Sequence, residues 1–262
     1  MKPDKNQLPI VVTREQWLKE RKELLIKEKE LTALRDKFNT ERRSLPMVKI
    51  DKDYEFEGTK GKISLMGLFE GRRQLIIYHF MFDPDWDEGC PSCSLVTDNI
   101  GHFSHLHARD TNLVLVSRAP LTKLEAYKKR MGWKIPWNSS FGSDVNYDFH
   151  VTIDPEKNSA EYNYKNVRDR GNSWDGWKGE MPGVSTFLRN SDRVFHTYSS
   201  YERGLDLLLN TYNYLDLTAL GRQEDWEKPP GRSDAKMMQW VRRHDKYNLN
   251  KFQGNLKPEA NA

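Results

Sequence analysis

The stretch from Leu75 to His107, LIIYHFMFDPDWDEGCPSCSLVTDNIGHFSHLH, decides the fold of this 262-residue chain. Residues 75–82 are apolar or aromatic except for His79, which is typical of a strand buried on both faces. A polar loop follows, and the remainder has the composition of a helix that runs to about His105. The stretch therefore predicts a buried strand, a loop and a helix, with Cys90-Pro91-Ser92-Cys93 where the helix begins.

Cys90 and Cys93 are the only cysteines of the chain. The N-terminus of a helix carries partial positive charge and unpaired N–H groups, which would stabilise a thiolate at Cys90. Pro91 suits the first helical turn, because its missing N–H is not needed there. Cys93 lies one turn further on and can attack a mixed disulfide formed at Cys90. The motif predicts a dithiol–disulfide site, with two structural cysteines as the alternative.

A metal site is a second use of the same residues. Two cysteines and two histidines have the spacing C-x2-C-x8-H-x4-H, which is shorter than in zinc fingers: Cys90, Cys93, His102 and His107. A continuous helix would place His102 about 18 Å along its axis from Cys90, whereas a zinc–ligand bond is about 2 Å. We therefore expect no metal and no bound cofactor, and interpret His102, His105 and His107 as helix-end residues.

The composition excludes several classes of protein. Charged residues make up 31% and hydrophobic residues 37%, and the net charge of +4 comes from 42 basic and 38 acidic residues. Such a balance does not favour nucleic-acid binding. Neither a signal peptide nor a membrane-spanning stretch is apparent. We expect a cytoplasmic protein, where a Cys-x-x-Cys pair is more often catalytic or metal-binding than a structural disulfide.

The chain divides into an N-terminal amphipathic helix over residues 13–45, one α/β domain over 46–220, and a polar tail with a short helix over 221–262. Four apolar residues of the first helix recur at every seventh position: Trp17, Leu24, Leu31 and Phe38. The second seam of this heptad pattern is mostly charged. We therefore favour a helix packed along its own domain, with a coiled-coil homodimer as the alternative.

Within the domain, the pattern from residue 48 has a period of two and predicts short strands ahead of the buried strand. Residues 112–118 predict a second buried strand and 121–131 a helix, so the two central strands should be parallel. Residues 184–199 predict a β-hairpin, and 201–209 a final helix. The polar segment 154–183 is interpreted as an irregular insertion.

This order of elements resembles the thioredoxin fold, in the branch with extra N-terminal strands that includes peroxiredoxins. Several phrases are similar to an uncharacterised thioredoxin-like family of predicted dithiol–disulfide oxidoreductases: EKELTALRD, ERRSLP, YHFMF, GCPSC, VSRAPL, KKRMGW, SSFGSDVNYDF, HTYSSYERGLDLL and TYNYLDLT. They lie between residue 13 and about residue 247. The resemblance implies a redox role but no particular substrate, so the partners expected are a disulfide-containing substrate and an unidentified thiol reductant.

Supporting residues are expected around the dithiol. His79 is either a hydrogen-bonded core residue or a proton acceptor for Cys93, by analogy with the buried acid of thioredoxins. Pro182 lies near the place of the cis-proline that faces the dithiol in thioredoxins, with an ordinary turn proline as the alternative. Arg118 ends a central strand at the edge where α/β sheets bind ligands, and either faces the site or pairs with an acid of the loop. Trp86 belongs to that loop.

Two rival functions remain beside the oxidoreductase. Peroxiredoxins carry P-x-x-x-T/S-x-x-C before the peroxidatic cysteine, but Asp83 and Asp87 occupy those Pro and Thr/Ser positions here. Val184 stands near the place where their arginine is expected. A thiol peroxidase is therefore the second choice. The third is a non-catalytic binding module using Trp174 and Trp177, which would otherwise form a lid over the thiols or pack as loop aromatics.

The loop before the dithiol is acidic. It carries Asp83, Asp85, Asp87 and Glu88, and no Lys or Arg lies between Gln74 and Arg109. Nearby negative charge disfavours a thiolate, by about one pKa unit when the carboxylates are exposed. We therefore predict a reducing couple with a Cys90 pKa nearer 7 than 3.5, the two ends of the range for such motifs.

Overall fold

The computed structural model describes residues 8–157, 160–171, 174, 176–228 and 236–248. In this part of the chain, one sheet of eight strands forms the centre of the molecule. Its strands are β1 (Val48–Lys49), β2 (Glu55–Gly58), β3 (Gly61–Ser64), β4 (Gln74–His79), β5 (Thr111–Ser117), β6 (Trp137–Ser139), β11 (Gly183–Asn190) and β12 (Arg193–Tyr201). The helices are α1 (Arg14–Arg43), α2 (Pro91–Asp98), α3 (Ser104–His107), α4 (Leu121–Arg130), α5 (Val145–Asp148) and α6 (Asn210–Leu215).

The strand order β1-β12-β11-β4-β5-β6-β2-β3 gives the fold class. Strands β4 and β5 are parallel, and their connection contains α2. Strand β11 lies antiparallel on the other side of β4, and β12 completes the hairpin. The sub-order β12-β11-β4-β5, with a helix after each of the two parallel strands, is the thioredoxin-like arrangement. The predicted α/β thioredoxin-like fold with extra N-terminal strands is confirmed.

The two faces of the sheet carry separate cores, because side chains alternate along each strand. On one face Tyr78 of β4 and Leu115 of β5 pack with Cys93 of α2. On the other face Ile77 and Val116 pack with further apolar side chains, including Phe187. Full burial of each large apolar side chain contributes about 1.5–3 kcal/mol. The alternation therefore decides which residues of β4 can reach the dithiol helix.

Helix α1 differs from its prediction. Its N-cap is Thr13 as expected, whose hydroxyl accepts a hydrogen bond from the Gln16 backbone N–H at 3.2 Å. However, none of its residues is buried, and Leu31 is 66% exposed. The expectation that the helix packs along its own domain is wrong, since other elements already cover both faces of the sheet. Its contact with the domain includes the Arg42 guanidinium, 4.9 Å from the ring centre of Tyr198.

The segment 154–183 has more structure than an irregular insertion. Strand β7 (Thr152–Ile153) pairs with β10 (Gly179–Glu180), and β8 (Glu161–Tyr162) pairs with β9 (Lys165–Asn166). These two strand pairs surround a small core of their own, which includes Tyr162. A few apolar side chains are enough for this core, and the polar composition of the segment gave no sign of it.

Three other elements depart from the predictions. The segment 133–150, for which no strand was predicted, contains β6, which pairs in parallel with β5. Residues Glu202–Leu208 form a 3-10 helix in place of the predicted final α-helix. In the tail, the predicted short helix is reduced to a 3-10 turn, His244–Lys246, while 229–235 and 249–262 lie outside the described residues. Of the helices that the structure describes, none has the length and apolar composition needed to cross a bilayer.

Candidate functional site around Cys90 and Cys93

The end of β4 holds both cysteines in place. Beyond this strand the chain continues to Met81, whose carbonyl accepts a hydrogen bond from the Cys90 N–H at 3.1 Å. The Met81 N–H in turn donates to Cys93 Sγ at 3.4 Å. Cys90 is the N-cap residue of α2 and Pro91 occupies its first turn. The Cys90 side chain is half-buried, whereas that of Cys93 is 1% exposed.

The two thiols have opposite acid–base properties. A hydrogen bond from the Cys93 thiol lowers the pKa of Cys90 to about 7, and the backbone N–H groups of Cys93 and Ser92 add to this effect. Burial raises the pKa of Cys93 well above its usual value, and the neighbouring Cys90 sulfur raises it further. The Tyr78 hydroxyl, which hydrogen-bonds the Cys93 sulfur, acts in the opposite direction. Cys90 is therefore the thiol that ionises near neutral pH.

Arg243, in the C-terminal tail, is a site residue that the sequence did not reveal. Its Nη2 donates to the carbonyl of Gly89, next to Cys90, at 2.7 Å, and its Nε donates to the Tyr127 hydroxyl at 3.0 Å. The same guanidinium pairs with Glu88 at 2.8 Å. Its positive charge lowers the pKa of Cys90. A residue 153 positions after Cys90 gives no local signal of this contact.

Arginines partly neutralise the negative charge of the acidic loop. Glu88 pairs with Arg130 as well as with Arg243, and Asp83 lies 3.8 Å from Arg118. An effect of these carboxylates on the pKa of the thiol remains a prediction, and the Cys90 pKa of about 7 agrees with the expected value nearer 7 than 3.5. The near-neutral pKa of Cys90 comes from hydrogen bonding by Cys93 and from backbone N–H groups.

His79 lies on the face of β4 away from the dithiol. Its Nε2 is 2.9 Å from the Ser185 hydroxyl, and its ring stacks on Phe149 at 6.0 Å. Burial lowers the pKa of His79 to about 3. Because neighbouring residues of a strand face opposite ways, Tyr78 contacts Cys93 and His79 does not. The geometry does not place His79 to accept a proton from Cys93.

Arg118 belongs to a polar cluster at the carboxyl edge of the sheet. Its Nη1 contacts the buried Glu180 at 2.6 Å, and its guanidinium lies 5.2 Å from the ring centre of Tyr147. Burial raises the pKa of Glu180 to about 7, against the pull of Arg118. Arg118 lies beside an acid of the loop, as one of its two suggested roles requires, since its guanidinium is 3.8 Å from Asp83. Its closer partner is Glu180.

A cavity of about 440 Å³ opens beside Cys93. Pro182 and Tyr78 line it together with this cysteine. Among the described residues that line the cavity, neither Trp174 nor Trp177 appears.

The tryptophans suggested for the site lie elsewhere. The Trp174 ring stacks on Tyr162 at 6.3 Å and lies 5.4 Å from the Trp177 ring, in the core of the insertion. They are loop aromatics that pack behind the cavity wall and do not form a lid over the thiols. Trp86 in the acidic loop is 36% exposed, and its carbonyl accepts a hydrogen bond from Lys123 at 3.0 Å.

Cys90 and His102 do not lie on one continuous helix, so the separation expected along a helix axis does not apply. Helix α2 ends at Asp98 and the chain turns before α3. The histidines have other partners: His102 Nδ1 is 2.6 Å from the Ser104 hydroxyl, and His107 Nε2 is 3.3 Å from Asn112 Oδ1. Within the described ranges, no three His, Cys, Asp or Glu side chains are arranged to hold a metal ion. That the protein binds no metal remains a prediction.

Solved structures similar to this chain include peroxiredoxins. Peroxiredoxin Q of Xanthomonas campestris is 14% identical with a TM-score of 0.41, and the match covers 65% of this chain and 96% of that chain. Peroxidoxin BcpB of Mycobacterium tuberculosis is 14% identical with a TM-score of 0.37, over 66% and 97%. A 2-Cys peroxiredoxin of Plasmodium vivax is 14% identical with a TM-score of 0.38, over 66% and 93%. Similarity at this level carries no argument about activity.

Comparison by sequence gives the family. No curated protein matches the chain. The model of one family, described as "Bacterial protein of unknown function (DUF899)", matches residues 6–247. This match covers nearly the whole chain, including α1, the dithiol and the tail arginine beside it, and the chain therefore belongs to the DUF899 family of bacterial proteins of unknown function.

Proposed function

We propose that this protein is a thiol–disulfide oxidoreductase that uses Cys90 and Cys93. The observation that carries the proposal is the contrast between the two sulfurs. The pKa of Cys90 is lowered to about 7, which favours the nucleophilic thiolate at this N-cap position. Cys93 lies beneath it, buried and protonated. A nucleophile and a resolving thiol need this division of roles.

Each turnover would transfer two electrons. The Cys90 thiolate attacks one sulfur of the substrate disulfide, so that a mixed disulfide forms and the first substrate sulfur leaves as a thiolate. Cys93 then loses its proton and attacks the Cys90 sulfur, which releases the second substrate thiolate. The substrate is reduced to two thiols and the protein holds a Cys90–Cys93 disulfide. A thiol reductant restores the dithiol by the reverse exchange.

Turnover with cysteine variants tests this function. The purified protein is assayed for reduction of a small disulfide with dithiothreitol as reductant, beside Cys90→Ser, Cys93→Ser and Ser92→Ala. The wild type and Ser92→Ala should turn over. Cys90→Ser should fall to the uncatalysed rate, while Cys93→Ser, mixed with the disulfide in the absence of dithiothreitol, should accumulate a mixed disulfide. Full activity of Cys90→Ser would refute the proposal.

The same variants distinguish the peroxidase alternative. Hydrogen peroxide replaces the disulfide, and its consumption is followed with the same reductant. Because Asp83 and Asp87 provide no hydroxyl to orient a peroxide, we expect consumption slower than disulfide reduction. Faster consumption that depends on Cys90 would favour a thiol peroxidase. Binding of a partner that survives loss of both cysteines would favour a non-catalytic module.

A further inference from the structure

Most of the side chains that line the cavity beside Cys93 are apolar or aromatic. Its volume of about 440 Å³ falls within the range of small-molecule sites, about 300–1,000 Å³. Its lining includes aromatic rings, thioethers and aliphatic side chains, among them Tyr162, Tyr212, Trp226, Met181, Met237 and Leu205. Apolar walls of this size favour an apolar ligand, because the ligand leaves water while no buried polar group loses a partner.

The charged side chains that line the cavity, here called its rim, each pair with an opposite charge: Glu202, Arg203, Asp206 and Arg222. Arg222 pairs with Asp206 at 2.9 Å and with Asp216 at 2.7 Å. Arg203 also contacts Asp206, at 3.1 Å, and its guanidinium lies 4.1 Å from the ring centre of Trp226. Each arginine at this rim therefore already has a carboxylate partner.

Glu202 completes the rim and is paired in the same way, with Arg170. An anionic ligand would have to displace one of these carboxylates before it met a positive charge. Breaking such a pair leaves a partly buried charge without its partner, which costs more than an exposed pair is worth. The rim therefore disfavours charged disulfides such as that of glutathione.

The position of the cavity connects it to the chemistry. Cys93 lies in its wall, three residues after Cys90 at the start of α2. Pro182 and Tyr78 lie in the wall as well. We propose, on the basis of the oxidoreductase function above, that this cavity holds the uncharged, apolar body of a small organic disulfide. A disulfide held there by its apolar body would bring its sulfur atoms to Cys93, three residues after the Cys90 nucleophile.

A matched pair of aromatic disulfides tests the inference. The rates of reaction with neutral 2,2′-dithiodipyridine and anionic 5,5′-dithiobis(2-nitrobenzoate) are each divided by the rate of the same probe with dithiothreitol. The corrected preference of the wild type for the neutral probe should be about tenfold or more. It should shrink in Trp226→Glu and in Met237→Glu, which add charge at partly exposed wall positions. Leu217→Glu, 85% exposed and away from the cavity, should keep it.

A binding measurement tests the apolar site independently of the proposed oxidoreductase function. Cys90→Ser is titrated calorimetrically with diphenyl disulfide and with glutathione disulfide. Binding of the first alone supports the apolar site. Equal corrected rates for both probes, with no binding of diphenyl disulfide, would overturn the apolar site and leave the oxidoreductase function intact. A wild type that reacts with neither probe faster than Cys90→Ser would instead refute the oxidoreductase function.

Discussion

Cys90 and Cys93 differ because one is the N-cap residue of α2 and the other is buried one turn further along. The Cys93 thiol and the backbone N–H groups of the first turn lower the pKa of Cys90. Cys93 is one turn inward, where burial opposes its ionisation. Near neutral pH a limiting alkylating reagent should therefore label Cys90 first.

The Arg243 charge can be tested through the pKa of Cys90. Replacing Arg243 with Gln removes a positive charge that lowers this pKa, and we expect a rise of up to about one unit. Thiolate absorbance followed against pH measures it. Arg242→Gln is the matched control, because Arg242 is exposed and bonds to carbonyls of its own segment. An equal shift in the two variants would contradict the assignment.

Substitutions of Tyr78 and of His79 should have different effects on the dithiol, since the two residues are neighbours on opposite faces of β4. The Tyr78 hydroxyl favours ionisation of Cys93, so Tyr78→Phe should slow the attack of Cys93 on a mixed disulfide. His79→Gln should leave this step unchanged. Stopped-flow release of the second substrate thiol follows it. A slow step in His79→Gln would place that residue back in the site.

His79 should instead affect stability against pH. Its pKa is lowered to about 3 by burial, from 6.5 in the unfolded chain. Its contribution to stability is present above pH 6.5 and is lost as pH falls towards 3, because only the unfolded state binds the proton. Between pH 7 and pH 5 the wild type should lose about 2 kcal/mol more of its unfolding free energy than His79→Gln. Denaturant unfolding at the two pH values measures this, and equal losses would contradict it.

At the scale of elements, α1 stands apart from the domain. Its apolar stripe is exposed, so Leu24→Ser and Leu31→Ser should each change the free energy of unfolding by less than about 0.5 kcal/mol. Leu115→Ala in the buried strand β5 should cost about 2–5 kcal/mol. Chemical denaturation of the three variants measures the contrast. A large loss at Leu24 or Leu31 would mean that another surface covers the stripe in solution.

Elements built from local patterns were the ones that the sequence predicted. The buried strand, the start of α2 at Pro91 and the β11–β12 hairpin each have a periodic or turn signal of their own. Strand β6 was missed because three residues, Trp137–Ser139, are too few to show a period. Because β4 is apolar on both faces, its sequence did not show which face lies against the dithiol helix. It therefore did not show that Tyr78 faces Cys93 and that His79 faces away from it.

At the scale of the whole molecule, the site is assembled from distant segments. Helix α2 supplies Cys93, the end of the insertion supplies Pro182, and the tail supplies Met237 and Met238. Arg243 reaches back to Gly89 from the same tail. Contacts over such separations follow from tertiary packing and have no local signature, which is why the sequence predicted the dithiol but neither its cavity nor its arginine.

The measurement that tests the account most directly is redox equilibration of the whole protein. It is incubated in glutathione buffers of graded ratio, quenched with acid, and analysed by intact mass and peptide mapping. We predict one two-electron transition between a free dithiol and a Cys90–Cys93 disulfide, with a potential nearer about −270 mV than −120 mV. Cysteines that stay free throughout, or that only form separate glutathione adducts, would contradict a dithiol–disulfide site.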